Sequence, residues 1–468
     1  ACGTLGASGF MKQYKNFING EWVSAVSGDT FTNHNPADTR EAVTEYALGG
    51  RAEAQAAIEA AQAAFPAWRA TTSPARGKIL SAAANIIAGR KDELAQILCR
   101  EEGKTKVEAG MEVGRTVDIF RFMAGLSYTI GGSVMPHDLP NNMLFTKREP
   151  LGVVALITPW NFPIALPAWK LAPALVSGNA VVLKPASQAP AMALELARAF
   201  DEAGLPAGVL NVVVGSGKEV GDELANHEAV QALSFTGSHG VGHGIYQQLA
   251  PRMTRAQMEM GGKNPTIVLA DADLDFAAKI VGLAGFGQTG QVCTATSRVI
   301  VNEKVADEFT EKLVEQAKAR NVGNGMADGV TMGPAVSAGE LKGNLDYIKI
   351  ANDEGAECVW GGERLGEGDL EHGHFMSPAV IANVKNSMRI AQEEVFGPVV
   401  SVVKCGDFDE AIALANDIEY GLSASIITRD ITMAMRYTDQ IEAGVVKINQ
   451  ISTGLALQAP FGGVKNSS

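Results

Sequence analysis

Leu151-Gly152-Val153-Val154-Ala155-Leu156-Ile157-Thr158-Pro159-Trp160-Asn161-Phe162-Pro163 opens a pattern that governs the middle of the chain. An apolar run short enough for one strand is stopped by Pro159. It gives way to apolar residues at helical spacing over 166–177, and a second apolar run follows at 180–184, ended by Pro185. Strands apolar on both faces belong in a sheet covered on both sides by helices. The alternation continues with strands at 210–214 and 232–235 and helices at 191–203 and 219–226. This predicts a parallel, doubly wound α/β sheet, whose ligands bind beyond the carboxyl ends of its strands.

A second β/α series starts near Glu259, with strands at 266–269 and 298–301, helices at 274–286 and 305–320, and further alternation to Ile448. Two α/β lobes are therefore expected. Upstream, a short strand-like entry at 17–23 leads into helical stretches at 51–65, 74–103 and 105–127. Residues 131–149 read as an exposed hairpin arm with unpaired edges, the kind that finds another subunit. The division expected is 11–130 with 151–258 as a dinucleotide-binding domain, 259–447 as a catalytic domain, and 131–150 with 448–468 as a bridging arm. Residues 1–10, small and flexible before a natural start at Met11, read as an appended leader.

With 468 residues the chain exceeds one ordinary core. Its 46% apolar and 19% charged residues are those of a globular protein. A net charge of −13 argues against nucleic acid or an anionic membrane as partner. No apolar run approaches the roughly 20 residues of a membrane span, and the five cysteines, Cys2, Cys99, Cys293, Cys358 and Cys405, are odd in number and scattered. The expectation is a cytoplasmic protein with free thiols. The histidines do not gather with other ligands, so no metal is expected.

Two runs stand apart chemically. Cys293 follows a turn-prone Gly290-Gln291 pair and precedes a strand; a thiol near oriented amides can ionise near neutral pH and act as a nucleophile. Glu259, between Met258 and Met260 and ahead of Gly261-Gly262, is poorly hydrated, so its pKa should rise towards that of a general base. Two glycine-rich βα turns, 215–221 and 235–242, are candidates for phosphate contact. The first is one residue too long for the dinucleotide fingerprint and reads more simply as a turn. The second is the better, with Gly237, Ser238 and Gly242. Lys184 ends its strand where ribose hydroxyls or phosphate would lie. Ser187, unlike a carboxylate there, tolerates a 2′-phosphate, which leaves NAD and NADP open and favours NADP.

Seven runs together resemble the aldehyde dehydrogenase superfamily, in order and spacing, over 16–465. They are Thr158-Pro159-Trp160-Asn161-Phe162-Pro163, Leu183-Lys184-Pro185-Ala186-Ser187, Phe235-Thr236-Gly237-Ser238, Glu259-Met260-Gly261-Gly262-Lys263-Asn264-Pro265, Gly290-Gln291-Val292-Cys293, Glu393-Glu394-Val395-Phe396-Gly397-Pro398 and Pro460-Phe461-Gly462-Gly463-Val464-Lys465. The resemblance implies two doubly wound α/β domains, one of them Rossmann-like, plus a small β arm, assembled as a homodimer or homotetramer. It implies that Cys293 attacks an aldehyde, that Asn161 and the Cys293 amide form the oxyanion hole, and that Glu259 activates the water that releases the acid. Glu394 would hold the nicotinamide ribose, Phe396 and Trp160 would lie by the nicotinamide, Lys184 would hold the adenine-side ribose, and Gly237, Ser238 and Gly242 would line the pyrophosphate.

The stretch Cys293-Thr294-Ala295-Thr296-Ser297-Arg298, with Met258-Glu259-Met260 and Ala391-Gln392-Glu393-Glu394, is similar to the α-ketoglutaric semialdehyde dehydrogenases. Succinic semialdehyde dehydrogenases carry arginines where this chain has Trp169 and Gly287, so the usual carboxylate clamp is absent. Arg121 is a candidate substitute, and Trp169 would also suit an apolar or aromatic aldehyde. Glu259 argues against a CoA-acylating relative, and the full set Cys293, Glu259, Asn161 and Lys184 argues against a non-catalytic binding protein. Members of the family usually run further, into a tail packed on the partner subunit.

Overall fold

The computed structural model describes residues 11–468; the leader expected at 1–10 lies outside the described residues. Four helices, α1 (Arg51–Ala70), α2 (Ser73–Gly89), α3 (Lys91–Glu102) and α4 (Lys106–Leu126), precede the parallel strands of the first long sheet. The stretch 74–103 divides into two helices because Arg90, with φ −111° and ψ 17°, breaks the helical run. α1 continues through Pro66 instead of ending at residue 65. α4 starts on a capping box, in which Thr105 accepts from the Glu108 amide and the Glu108 carboxylate accepts from Thr105.

The first sheet has seven strands in the order Arg255–Glu259, Val230–Thr236, Val153–Ile157, Ala180–Lys184, Leu210–Val212, Asn16–Ile18, Glu21–Val23. The first five are parallel and the last two join antiparallel. Every residue of Val153–Ile157 and Ala180–Lys184 is buried, as expected for strands covered on both faces. α5 (Ala165–Val176) connects these two strands. Strand order reverses at Val153–Ile157, so the switch-point crevice opens beyond Ile157 and Thr236.

The second sheet also has seven strands, ordered Glu357–Trp360, Ala379–Ala382, Val399–Cys405, Arg298–Asn302, Pro265–Val268, Ser423–Ile427, Val445–Ile448. All pairings are parallel except at the Glu357–Trp360 edge. The chain passes from the last residue of Arg255–Glu259 through 260–264 into Pro265–Val268. The carboxyl ends of one sheet thus face the amino ends of the other, and the seam between them holds the site.

The sequence pattern did not reveal a three-stranded sheet of Lys12–Tyr14, Asp38–Ala47 and Thr30–Asn35. Its strands carry polar residues such as Asn33 and His34, which hide the period-two pattern. The sheet braces the turn after Ala180–Lys184: Asn33 Nδ2 donates to Ser187 O at 2.9 Å. Val134–Met135 pairs with Leu144–Phe145 in a hairpin whose apolar side chains are exposed. Residues 449–468 run along the seam: Val464–Lys465 pairs with Tyr420–Gly421, and Ser467 Oγ donates to Gly261 O at 2.8 Å. Among the described residues no helix is long and apolar enough to cross a membrane, and no three His, Cys, Asp or Glu side chains gather as metal ligands.

Candidate active site

Cys293 lies in the loop that enters the amino end of Arg298–Asn302, half-buried. Asn264, from the seam, holds this loop: its Nδ2 donates to Cys293 O at 2.8 Å and Ala295 O at 2.9 Å, while its Oδ1 accepts from the Ser423 amide at 3.0 Å. Ahead of the cysteine, Gln288, Thr289 and Gly290 have φ of 50°, 58° and 66°. Left-handed backbone at a non-glycine residue costs about 1–2 kcal/mol. Outside contacts hold the turn in place. The Gln288 amide donates to Glu108 Oε1 at 2.8 Å, and Thr289 Oγ1 donates to Gly333 O at 3.0 Å. Gly290 cannot carry a side chain, because a Cβ there would lie 2.1 Å from Gly397 O.

Asn161 follows the first central strand and is buried. Its Nδ2 donates to Gln291 O at 3.0 Å, which brings the amide to the cysteine loop. From behind, Lys104 Nζ donates to Asn161 O at 2.8 Å and to Glu112 Oε2 at 2.6 Å, and Glu112 Oε1 accepts the amides of Ile164 and Ala165, both at 3.1 Å. Sequence reasoning missed Lys104, Glu112 and Asn264, since single charged or amide residues in helical or turn sequence carry no spacing signal.

Glu259 ends the edge strand of the first sheet. Its Oε1 accepts from Gln257 Nε2 at 2.7 Å, and its buried Oε2 has no hydrogen-bond partner among the described residues. Burial pushes the carboxyl up to about 7, against the nearby Lys170 and the Gln257 bond. Lys170 is pulled down to about 7 by the same burial. The expected rise at Glu259 is therefore present. The expected low thiol pKa is not. Burial, then the charges of Glu394 and Glu259, push Cys293 up to about 12, outweighing the backbone amides of Thr294 and Cys293. Burial of the sulfur is the main cause, and the two carboxylates that add to it lie far from Cys293 in sequence.

Glu394 Oε1 accepts from the Gly262 amide at 3.0 Å, and a Cβ on Gly261 would lie 2.0 Å from its Oε2. Burial pushes this carboxyl to about 7 as well. Phe396, at φ 57°, meets Trp160 edge-on at 5.4 Å between ring centres. Lys184 ends its strand buried, with Nζ donating to Pro185 O at 3.1 Å, and burial lowers it to about 8. Gly237 and Ser238 precede the helix His239–Leu249, where Ser238 makes no side-chain cap. Gly242 lets that helix sit against the seam: a Cβ there would lie 2.6 Å from Met260 Sδ.

These residues fit a dinucleotide. Thr158 Oγ1, buried at the carboxyl end of its strand, has no partner among the described residues, and Lys184, Trp160 and the Ser238 helix terminus open on the same switch-point crevice. By contrast, the Gly215 turn serves packing. A Cβ on Gly215 would lie 2.2 Å from Gly49 O, and Ser216 caps the turn that follows. Arg121 is far from substrate duty, its Nη2 donating to Asn85 Oδ1 on the exposed side of α4.

Residues 22–468 match the aldehyde dehydrogenase family. An α-ketoglutarate semialdehyde dehydrogenase of Haloferax volcanii is 53% identical over 97% of this chain and 94% of its own. An α-ketoglutaric semialdehyde dehydrogenase of Bacillus subtilis is 46% identical over 97% and 93%. Among solved structures, betaine aldehyde dehydrogenase of Staphylococcus aureus in complex with NAD+ superposes with a TM-score of 0.94 at 37% identity, covering 97% of this chain and 90% of that one.

Proposed function

The chain belongs to the aldehyde dehydrogenase family, and on that premise we propose that it oxidises α-ketoglutaric semialdehyde to α-ketoglutarate. The chemistry is NAD(P)-dependent aldehyde oxidation. The substrate rests on one observation: two relatives 53% and 46% identical, matched almost end to end, both carry that activity in their names.

Cys293 supplies the sulfur that adds to the aldehyde carbon. With its thiol pushed to about 12, the proton has to be taken as sulfur attacks, and Glu259, at about 7, is the base for it. The alkoxide of the thiohemiacetal accepts from the free N–H of the Asn161 amide and from the Cys293 amide. When bound, the oxidised nicotinamide supplies the hydride acceptor. Collapse of the alkoxide then leaves a thioester on Cys293. Glu259, its first proton returned to solvent, activates the water that releases the acid.

Lys184, Ser187, Gly237, Ser238 and Gly242 hold the adenosine and pyrophosphate side, and Glu394, Phe396 and Trp160 the nicotinamide side. NADP is favoured because no carboxylate stands at Ser187. Residues 11–130 and 151–258 form the cofactor domain, 259–447 the catalytic one, and 131–150 with 448–468 the arm. The exposed side chains of Val134, Met135, Met143, Leu144 and Phe145 suit pairing with a second copy in a cytoplasmic homodimer or homotetramer.

The experiment is a comparison of kcat/KM for α-ketoglutaric semialdehyde, succinic semialdehyde and benzaldehyde, each with NAD and NADP. The five-carbon semialdehyde should lead. A higher value for benzaldehyde overturns the substrate assignment.

A further inference from the structure

Arg115 on α4 and Trp169 on α5 face each other, the guanidinium carbon 5.7 Å from the indole centre. Three lines of packing tie the surroundings of this guanidinium to the loop that carries Cys293. Glu108, Glu112 and Arg115 follow one another at i, i+4 and i+7, so they share a face of α4. The first of them touches the Gln288 amide before the cysteine, and the second holds the start of α5. On the opposite wall Phe162, Leu166 and Trp169 repeat the same spacing away from Asn161, and all three are half-buried.

The third wall is the segment after Val445–Ile448. Ser452 Oγ donates to Thr294 O at 2.7 Å, beside the nucleophile, and Leu455 O accepts from Arg115 Nη2. The three residues from 452 to 455 can span at most about 10 Å. Four staggered C–C bonds of about 1.5 Å carry the aldehyde carbon of a five-carbon semialdehyde roughly 5 Å from its carboxylate carbon. At Gly287 a Cβ would meet nothing within 4 Å.

We propose that Arg115, braced by Trp169 and Leu455, binds the distal carboxylate of the aldehyde substrate; this rests on the semialdehyde reading above. A guanidinium has five N–H donors in a rigid fork, and the Leu455 bond leaves most of them for a carboxylate. The indole face holds the fork flat, which lysine could not exploit equally. The charge that the sequence lacks at positions 169 and 287 thus comes from the facing helix.

The test measures kcat/KM for α-ketoglutaric semialdehyde and for pentanal in the unmodified enzyme, Arg115→Met and Arg115→Lys. Binding of the product α-ketoglutarate is followed by calorimetry. In Arg115→Met the ratio of semialdehyde to pentanal should fall roughly 30- to 100-fold, carried by KM, with a parallel loss of α-ketoglutarate affinity. Arg115→Lys should recover part of it. Equal losses on both aldehydes would assign Arg115 to holding the Leu455 segment alone and overturn the proposal. If the unmodified enzyme favours pentanal, the substrate reading fails and takes this inference with it. If it favours the semialdehyde and Arg115→Met keeps the same ratio, only the role of Arg115 falls.

Discussion

The Asn161 side-chain amide donates to the carbonyl of Gln291, two residues before Cys293, at 3.0 Å. That bond fixes which way the amide faces, because only its nitrogen can satisfy a carbonyl oxygen. One N–H is spent on the loop and the other remains for an alkoxide on the substrate. Asn161→Ala should lower kcat by roughly 100- to 1,000-fold, the cost of losing one oxyanion donor. Asn161→Asp should do worse, since a carboxylate repels both the Gln291 carbonyl and the alkoxide. Stopped-flow measurement of the hydride-transfer burst checks this. An undiminished burst in Asn161→Ala would remove Asn161 from the step.

Glu259 must be ionised to take a proton, and burial holds it up to about 7. Turnover limited by acid release should therefore climb about tenfold per pH unit below 7 and level off above it. In Glu259→Gln that limb should vanish, and the hydride-transfer burst should slow along with acid release, because the same carboxylate takes the thiol proton. Rate profiles between pH 5 and 9 for both proteins decide it, and an identical acid limb in the variant counts against Glu259 as the base.

Most of the frame was legible because it rests on period and punctuation. The buried strands Val153–Ile157 and Ala180–Lys184 are unbroken apolar runs closed by proline, which reads directly as a doubly wound sheet. The site was legible as a set of runs, each bringing its own backbone turn. What stayed hidden depends on convergence. The thiol's high pKa comes first from burial and then from Glu394 and Glu259, which only the fold brings near Cys293, and the role of Lys104 needs Asn161 at its tip. Arg115 was invisible for the same reason: one arginine in a helix says nothing until Trp169 and Leu455 surround it.

The sulfur itself can report that convergence. Burial is the largest cause of its high pKa, and the Glu394 charge comes next. Neutralising that carboxylate removes a negative charge that disfavours the thiolate, so Glu394→Gln should lower the thiol pKa. Alkylation by iodoacetamide at pH 8 should then run several-fold faster than in the unmodified protein. A slower reaction would mean that the carboxylate favours ionisation.

The proposed preference for NADP rests on Ser187. A carboxylate at this position would accept from ribose hydroxyls and repel a 2′-phosphate. Ser187→Glu should shift the ratio of kcat/KM for NADP over NAD by about 10- to 100-fold towards NAD, the scale of one like-charge contact. Undiminished NADP use in the variant would show that the phosphate lies elsewhere.

Arg298 ties Lys263, in the seam, to the segments around Asn386 and Leu414. It is fully buried, and its guanidinium donates to Lys263 O at 3.1 Å, Asn386 Oδ1 at 2.9 Å, Leu414 O at 3.3 Å and Ala415 O at 3.1 Å. Burial lowers its pKa to about 10, partly offset by Asp417, so it is still charged at neutral pH. Arg298→Met leaves those acceptors without donors in a dry site, at about 1–3 kcal/mol for each one that water does not reach. A loss of at least about 3 kcal/mol is expected, seen as a Tm several degrees lower. Arg298→Lys cannot reproduce the fork and should recover less than half of that loss. Because Lys263 adjoins Asn264, which holds the Cys293 carbonyl, the same variants should lose activity below their melting range. If Arg298→Met melts with the unmodified protein, those four bonds do not hold the seam together.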